Sequence, residues 1–491
     1  MPPLAAAMVV FGASAAILVL EILAGRLLAP YVGVTLETYT GIIGTVLAGI
    51  SVGTWLGGRA ADTFDPRRLL GPLLIAGGIS ALLAVPLTAF VASVRPGSGP
   101  VAIVFLAALG FFAPAAILSA VNPAVAKAQL HDLARTGGVV GRISAIATAG
   151  AIFGTFVTGF VLVSAIPSRS IVIGLAIVLM AGGVLLWATL GRGRGATTPL
   201  LALALLAGGT GWAAASPQPC QRESAYFCIR VEVSGARPTG RTLYLDTLRH
   251  SYVDLADPSH LEFSYTQVVS DVMAAIEPAA APLRALHIGG GGLTLPRYLA
   301  AIRPGSTSLV LELDPEVLAV ARDELGLVTS EELEVRLGDA RLGVANETSD
   351  SYDLVVGDAF GGLAVPWDLT TREMVEEVKR VLHPTGTYVL NVIDYPPLGF
   401  ARAETATLRA VFPHLAVIAP PARIARRDGG NIILIASETP LPLTSILDNN
   451  RSRLDDDLVI GDQFGLDDFI GDALVLTDDF APVDQLLTPY R

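Results

Sequence analysis

The sequence predicts a two-part protein: a multi-pass helical membrane bundle, then a small β region leading into an α/β domain with a parallel sheet. Three observations carry this. Charge is nearly absent from the first 216 residues, long apolar stretches recur there, and residues 285–317 read as strand, glycine turn, helix, strand. At 491 residues the chain is long enough for more than one domain. Of its 33 Lys and Arg and 45 Asp and Glu, residues 1–216 hold eleven and five, leaving 22 and 40 for the remainder. That acidic excess argues against nucleic acid as a partner. It suits a cationic ligand, although solubility explains it equally well.

Seven apolar stretches reach the roughly 20 residues a span requires. They lie near 8–29, 39–57, 69–92, 101–125, 139–165, 171–190 and 197–215. The lipid bilayer of the cytoplasmic (inner) membrane is therefore the first expected partner. Arg59, Arg67, Arg68, Lys127, Arg135, Arg142, Arg192 and Arg194 follow the even-numbered stretches, against Arg26, Arg95 and Arg169 after the odd ones. By the positive-inside rule the N-terminus is cytoplasmic. The first stretch is too long, and too acidic at Glu21, for a simple cleaved signal peptide. A charge as deep as Glu21 is costly and commonly functional, and Arg26, five residues on, is its expected ion-pair partner. Function and a structural pair both stay open. Residues 53–68, GTWLGGRAADTFDPRR, resemble the loop between the second and third helices of major facilitator transporters. No second copy follows, so the membrane part resembles half of such a transporter, whereas alternating access usually needs two repeats.

The α/β signal is strongest around the glycines. Leu286 to Ile288 is a short apolar run, as a buried parallel strand should be. Gly289, Gly290, Gly291 and Gly292 follow, allowing a sharp turn and close approach of a ligand to the main chain. A helix begins near Leu295, and a second apolar run ends in Glu312 and Asp314, about 20 residues after the glycines. An acid there is what a nucleoside-binding unit uses to hold a ribose. The strict G-x-G-x-x-G pattern is not met, because Thr294 stands at its last position. Between the two parts, residues 226–233 and 241–246 alternate as strands around the turn SGARPTG. Cys220 and Cys228 are the chain's two cysteines. The six His are scattered; neither His260 nor His287 has a Cys or His at ligand spacing, so no metal is expected.

Leu245-Asp246, then Phe263-Ser264-Tyr265, then Gly289-Gly290-Gly291 stand in the order and with gaps similar to those of spermidine synthases. Arg297 falls where that family keeps an Arg. The architecture resembles the bacterial fused transporter/spermidine synthase group over the full chain, and the synthase part covers about 215–491. The resemblance implies a transmembrane domain at 1–216, a small β region with a connecting helix at 217–275, and a Rossmann-like nucleoside-binding catalytic domain at 276–491. It implies that Glu312 holds the ribose hydroxyls, that Asp339 receives the adenine amino group, and that Asp358 is the base at the reacting amine. It implies that Tyr265 lines the substrate pocket, where packing is the other reading, and that His250 does so in place of a Gln; Asp246 reads as a strand-end turn residue. Pro366, Leu369 and Thr371, and the C-terminal LTDD with APV, match further parts of the pattern. The implied donor is decarboxylated S-adenosylmethionine and the acceptor a small cationic diamine.

Two positions depart from that pattern. Gly292 and Gly361 stand where the family keeps carboxylates for the donor's amine and the diamine. Three readings follow: an aminopropyltransferase with altered amine contacts, a methyltransferase using S-adenosylmethionine itself, and a non-catalytic nucleoside- or polyamine-binding domain that regulates the half-transporter. Seven spans from a cytoplasmic N-terminus put the second part outside, and paired cysteines past the seventh span suit an oxidising compartment. Adenosyl donors are kept in the cytoplasm, which argues the other way. Self-association of the chain stays open.

Overall fold

The structure, a computed structural model, describes residues 1–93, 99–130, 132–190, 197–362, 364–461 and 465–488. Arg95, Arg192 and Arg194, counted above among the loop charges, lie outside these residues. The chain divides into two compact units, one of residues 1–230 with 245–247 and the other of residues 231–244 with 248–491.

Among the described residues of the first unit six helices are long and apolar enough to cross a membrane: Pro3–Val32, Leu36–Thr63, Pro66–Ala92, Pro100–Gln129, Thr136–Ala165 and Ser168–Leu190. The last predicted stretch also forms a helix, Thr197–Ala215. Its end is tied to the start of the preceding helix, because Arg169 donates to the Ser216 carbonyl at 2.7 Å. Small residues set the helix contacts. A Cβ at Gly53 would lie 1.9 Å from the Ala116 carbonyl oxygen, and one at Gly154 would lie 2.5 Å from that of Ala15. Proline shapes the fourth span: Pro114 has no N–H to bond back to residue 110, and the turn before it, Ala108–Phe112, widens to a π-helix.

The expected Glu21–Arg26 pair does not form. Five helical residues turn the chain about 140° past a full turn, so the two side chains leave on different faces. Arg26 instead meets Glu223 at 3.1 Å, Ser168 Oγ at 3.2 Å and the Ala225 carbonyl at 2.6 Å, and also the Ser224 carbonyl. Glu223 to Ala225 belong to the loop closed by the Cys220–Cys228 disulfide, whose Cα atoms are 5.1 Å apart. Among the described residues no ion pair reaches Glu21, which is half-buried.

Four short strands, β1 (Arg222–Glu223), β2 (Cys228–Val233), β3 (Gly240–Leu245) and β4 (Leu248–Asp254), form a sheet in that order. The expected hairpin is thus two strands larger. Asp246 follows β3 at φ 54°, a turn geometry that Asp tolerates, and accepts from the Cys228 N–H at 3.0 Å.

Among its described residues the second unit is built on eight strands: β5 (Arg284–Ile288), β6 (Thr307–Glu312), β7 (Leu333–Leu337), β8 (Tyr352–Gly357), β9 (Leu382–Asp394), β10 (His414–Ala419), β11 (Gly430–Ser437) and β12 (Leu458–Gly461). Their order is β12-β10-β11-β9-β8-β5-β6-β7. β7, β6, β5, β8 and β9 run parallel, and β11, β10 and β12 pair antiparallel. Alternate residues feed two cores. Leu286 and Ile288 pack with the helices Arg372–Val381 and Gly399–Val411, while Ala285, Leu354 and Val356 pack with Ser264–Ala275 and Thr294–Ile302. This is a Rossmann-like α/β fold. The strand order reverses at β5, and a crevice opens at the carboxyl ends of β5 and β8, where such sheets take ligands. Arg303, fully buried, donates to the carbonyls of Met273, Ile276, Pro278 and Ala281, so a cation satisfies the exposed end of the helix Ser264–Ala275.

Candidate active site

The glycine loop leaves β5 directly over the end of β8. Gly289 has φ 95°, and a Cβ on it would lie 2.4 Å from the Asp358 carbonyl oxygen, so no larger residue fits without displacing Asp358. The N–H groups of Gly290 and Gly291 donate to Glu312 Oε2 at 3.0 and 3.1 Å, and the Asp314 N–H donates to Oε1 at 2.9 Å. Glu312 ends β6 and is buried. Burial raises its carboxyl above the usual range although all three N–H groups favour the charged form. Asp314 caps the helix Pro315–Asp323. Asp339, one strand further on, is exposed and caps the helix Ala340–Ala345 through the Leu342 N–H at 3.0 Å. Glu312 at the end of β6 thus stands beside the glycines, and Asp339 follows β7, the next strand of the sheet.

Asp358 follows β8 and lies at the floor of a cavity of about 480 Å³. The Tyr265 hydroxyl donates to one oxygen at 3.0 Å and the Asn391 amide to the other at 2.8 Å; Asn431 in turn donates to Asn391 at 3.0 Å. Burial raises the Asp358 pKa, against the lowering effect of Asn391 and Tyr265. The Tyr265 phenol is pushed up by burial and by the Asp358 charge, so it remains a donor. His250 lines the cavity with its buried Nδ1 unpartnered, and burial lowers its pKa to about 4, which keeps it neutral.

Sequence reasoning singled out Asp358, Tyr265 and His250, and the structure gathers all three at one cavity. It missed Asn391 and Asn431, which lie on adjacent antiparallel strands 40 residues apart in sequence. It also missed Glu262, Arg249 and Phe360, which line the same space with Phe263 of the Phe-Ser-Tyr motif. The two glycine departures differ physically. A Cβ at Gly292 would meet Ser251 Cβ at 2.8 Å and Val253 at 3.2 Å, whereas at Gly361 the nearest neighbour is the Ala364 carbonyl at 4.0 Å. A side chain at 292 is blocked; one at 361 has room. Among the described residues no cluster of three or more His, Cys, Asp or Glu is gathered for a metal.

No family model matches the chain. A polyamine aminopropyltransferase of Vibrio vulnificus is 30% identical over 219 residues, covering 42% of this chain and 70% of that protein. One of Chromobacterium violaceum is 31% identical over 160 residues, 31% of this chain and 57% of that one. The human eEF1A lysine and N-terminal methyltransferase is 31% identical over 147 residues, 28% of this chain and 21% of its own. A solved structure of a probable spermidine synthase from Corynebacterium glutamicum shares 30% identity over 54% of this chain and 96% of its own, with a TM-score of 0.49. With a glycine loop, a β6 acid and a floor carboxylate on one sheet edge, and that extent of identity to the Vibrio vulnificus protein, the chain belongs to the polyamine aminopropyltransferase family and is a transferase.

Proposed function

We propose that the chain moves an aminopropyl group from decarboxylated S-adenosylmethionine to a small cationic amine. The observation that carries this reading is Asp358, a carboxylate of raised pKa held by Tyr265 and Asn391 on the floor of a cavity beside the glycine loop. The acceptor must be a free amine when it attacks. Asp358 takes a proton from the ammonium, the nitrogen lone pair attacks the carbon next to the sulfonium sulfur, and that carbon–sulfur bond breaks with its electrons leaving on sulfur. Tyr265 and Asn391 fix the carboxylate's direction, and the cavity wall keeps the amine in line. Glu312, its carboxylate held by the loop's N–H groups, receives the two ribose hydroxyls, and Asp339 the adenine amino group. No step calls for a metal.

Methyl transfer from S-adenosylmethionine is the second reading. The packed space beside Gly292 favours it, since no acidic side chain there opposes the carboxylate that S-adenosylmethionine carries and its decarboxylated form lacks. Similarity to the eEF1A methyltransferases supports it. Mass spectrometry of products formed with each donor and putrescine separates the two. Asp358→Asn should lower turnover by about 10²–10⁴-fold while leaving nucleoside affinity, read by calorimetry, near wild type. If Glu312→Ala and Asp339→Ala bind methylthioadenosine as well as wild type does, the nucleoside assignment fails.

The same reading anchors the α/β unit to the cytoplasmic membrane through the apolar helices and places it outside. The disulfide, Arg26, Arg169 and Ser216 lie at one end of the bundle, while Lys127 and Asp62 pair at 2.8 Å at the other, basic end. Reporters active only in the cytoplasm or only outside, fused after Arg491, decide it. A cytoplasmic signal with free thiols at Cys220 and Cys228 would overturn the placement.

A further inference from the structure

We propose that the apolar unit holds a binding site for a single-chain cationic amphiphile, a long-chain alkylamine with its ammonium at Glu37. The proposal goes beyond the transferase reading and rests only on the membrane placement of the apolar helices. A groove of about 650 Å³ runs between the second and fourth of those helices, Leu36–Thr63 and Pro100–Gln129. Ala48, Val104, Ala108 and Phe112 supply apolar wall, and Glu37 is the one charged residue among the described residues of the lining. Glu37 stands in the first turn of its helix. From there to Ala48 the groove follows roughly 17 Å of helix, a little over half of the roughly 30 Å hydrocarbon layer. The charged end thus lies at the membrane surface and the apolar length inside.

Glycines that face different surroundings build this groove. A Cβ at Gly41 would lie 2.9 Å from Ile103, and one at Gly49 2.8 Å from the Phe112 carbonyl oxygen, so the two helices touch at both places. At Gly44, between them, nothing lies within 4 Å. A missing side chain keeps the space open, and the seam between two touching helices suits one chain rather than two. Thr40 turns its hydroxyl back to the Leu36 carbonyl at 2.8 Å, so its donor is used within its own helix. Such walls take methylenes and offer nothing to a polar chain. At the mouth Glu37 is exposed, and among the described residues no ion pair reaches it. A carboxylate there favours an ammonium head and disfavours a carboxylate or a phosphate. Because Glu37 is exposed, the pair selects among head groups instead of dominating affinity.

The test is photolabelling of the full-length protein in phosphatidylcholine nanodiscs, with a dodecylamine that carries a diazirine on its terminal carbon. Peptide mapping by mass spectrometry should place the label on residues 41–48 and 104–112. Unlabelled dodecylamine should compete, whereas dodecanoate and butylamine should not. Glu37→Gln should weaken dodecylamine about two- to fivefold. Gly44→Leu, whose side chain enters empty space, should abolish the label in the groove. Label spread evenly over the lipid-facing helices means contact with bulk lipid only and overturns the proposal. So does equal competition by dodecanoate, or a Gly44→Leu variant that labels like wild type. Unfolding midpoints equal to wild type exclude a folding defect, and Glu37→Gln, on the exposed rim, decides the case if the leucine variant is unstable. Retention of the protein in carbonate-washed membranes is read separately. Release there overturns the membrane placement and this proposal with it; retention with failed labelling overturns the site alone.

Discussion

In the apolar unit glycines bring helix backbone onto helix backbone; in the glycine loop of the α/β unit they make a turn that closes on side chains as well as on backbone. At Gly53 and Gly154 the missing Cβ is replaced by a carbonyl of the neighbouring helix, so the absent side chain is already filled by protein. At Gly290 and Gly291 the N–H groups turn to the Glu312 carboxylate, and a Cβ would meet side chains, Glu312 Oε2 at 2.9 Å and Ser251 Oγ at 2.7 Å. Gly289 and Gly291 also need the left-handed region, at φ 95° and 49°, which neither helix glycine does. The difference teaches that a glycine's role follows from what occupies its Cβ direction and from its φ, and not from glycine content. Gly292 shows the point inside the glycine loop: its Cβ direction is filled by the side chains of Ser251 and Val253.

The strongest way to break this contrast is Gly289→Ala. It combines an unfavourable φ with a Cβ 2.4 Å from the Asp358 carbonyl, so Asp358, the base of the proposed reaction, must move. Displacement on the order of 1 Å costs about 10²-fold in rate, and kcat should fall accordingly. Gly361→Ala, with 4.0 Å to its nearest neighbour, should stay close to wild type. Equal kcat in the two variants would remove the argument.

Gly53→Val tests the other half. Overpacking of this kind costs about 1–3 kcal/mol or more, read as a lowered unfolding midpoint in detergent. Gly44→Val, where nothing lies within 4 Å, is the matched control.

Asp358 supplies a pH test. Its folded pKa is raised by burial, and it must be ionised to accept a proton, so kcat/KM should fall as pH drops through that raised value. Asn391 lowers it; Asn391→Leu should therefore move the acid limb to higher pH, with Tyr265→Phe shifting it the same way. A limb that stays in place in both variants would mean that these donors do not set the carboxylate's ionisation.

The smallest effect is expected at Asp246. Burial raises its pKa from 3.8 to about 6. A raised folded pKa gives stability that is present below pH 3.8 and lost as pH rises through about 6. Asp246→Asn keeps an acceptor for the Cys228 N–H and removes the buried charge. Its melting temperature should exceed that of wild type at pH 8 and match it at pH 3.5.

What the sequence determined by itself was local. Apolar length marked the membrane-type helices, and the strand–glycine–helix–strand run marked the nucleotide-type unit, because both signals lie within about 30 residues and rest on backbone geometry. Glu312 was singled out because it ends the apolar run after the glycines, and Asp358 through the resemblance to spermidine synthases; the folded sheet sets both at the carboxyl ends of neighbouring parallel strands. Arg26 could not be placed that way. Its partners Ser168 and Glu223 are 142 and 197 residues distant, and helix phase alone separates it from Glu21. The chain Asp358–Asn391–Asn431 likewise exists only because β8, β9 and β11 are neighbours in the folded sheet. Amides in strands carry no periodic mark of function. Only tertiary structure decided which glycine was open and which was filled, since the occupant of a Cβ position comes from residues far away in the chain.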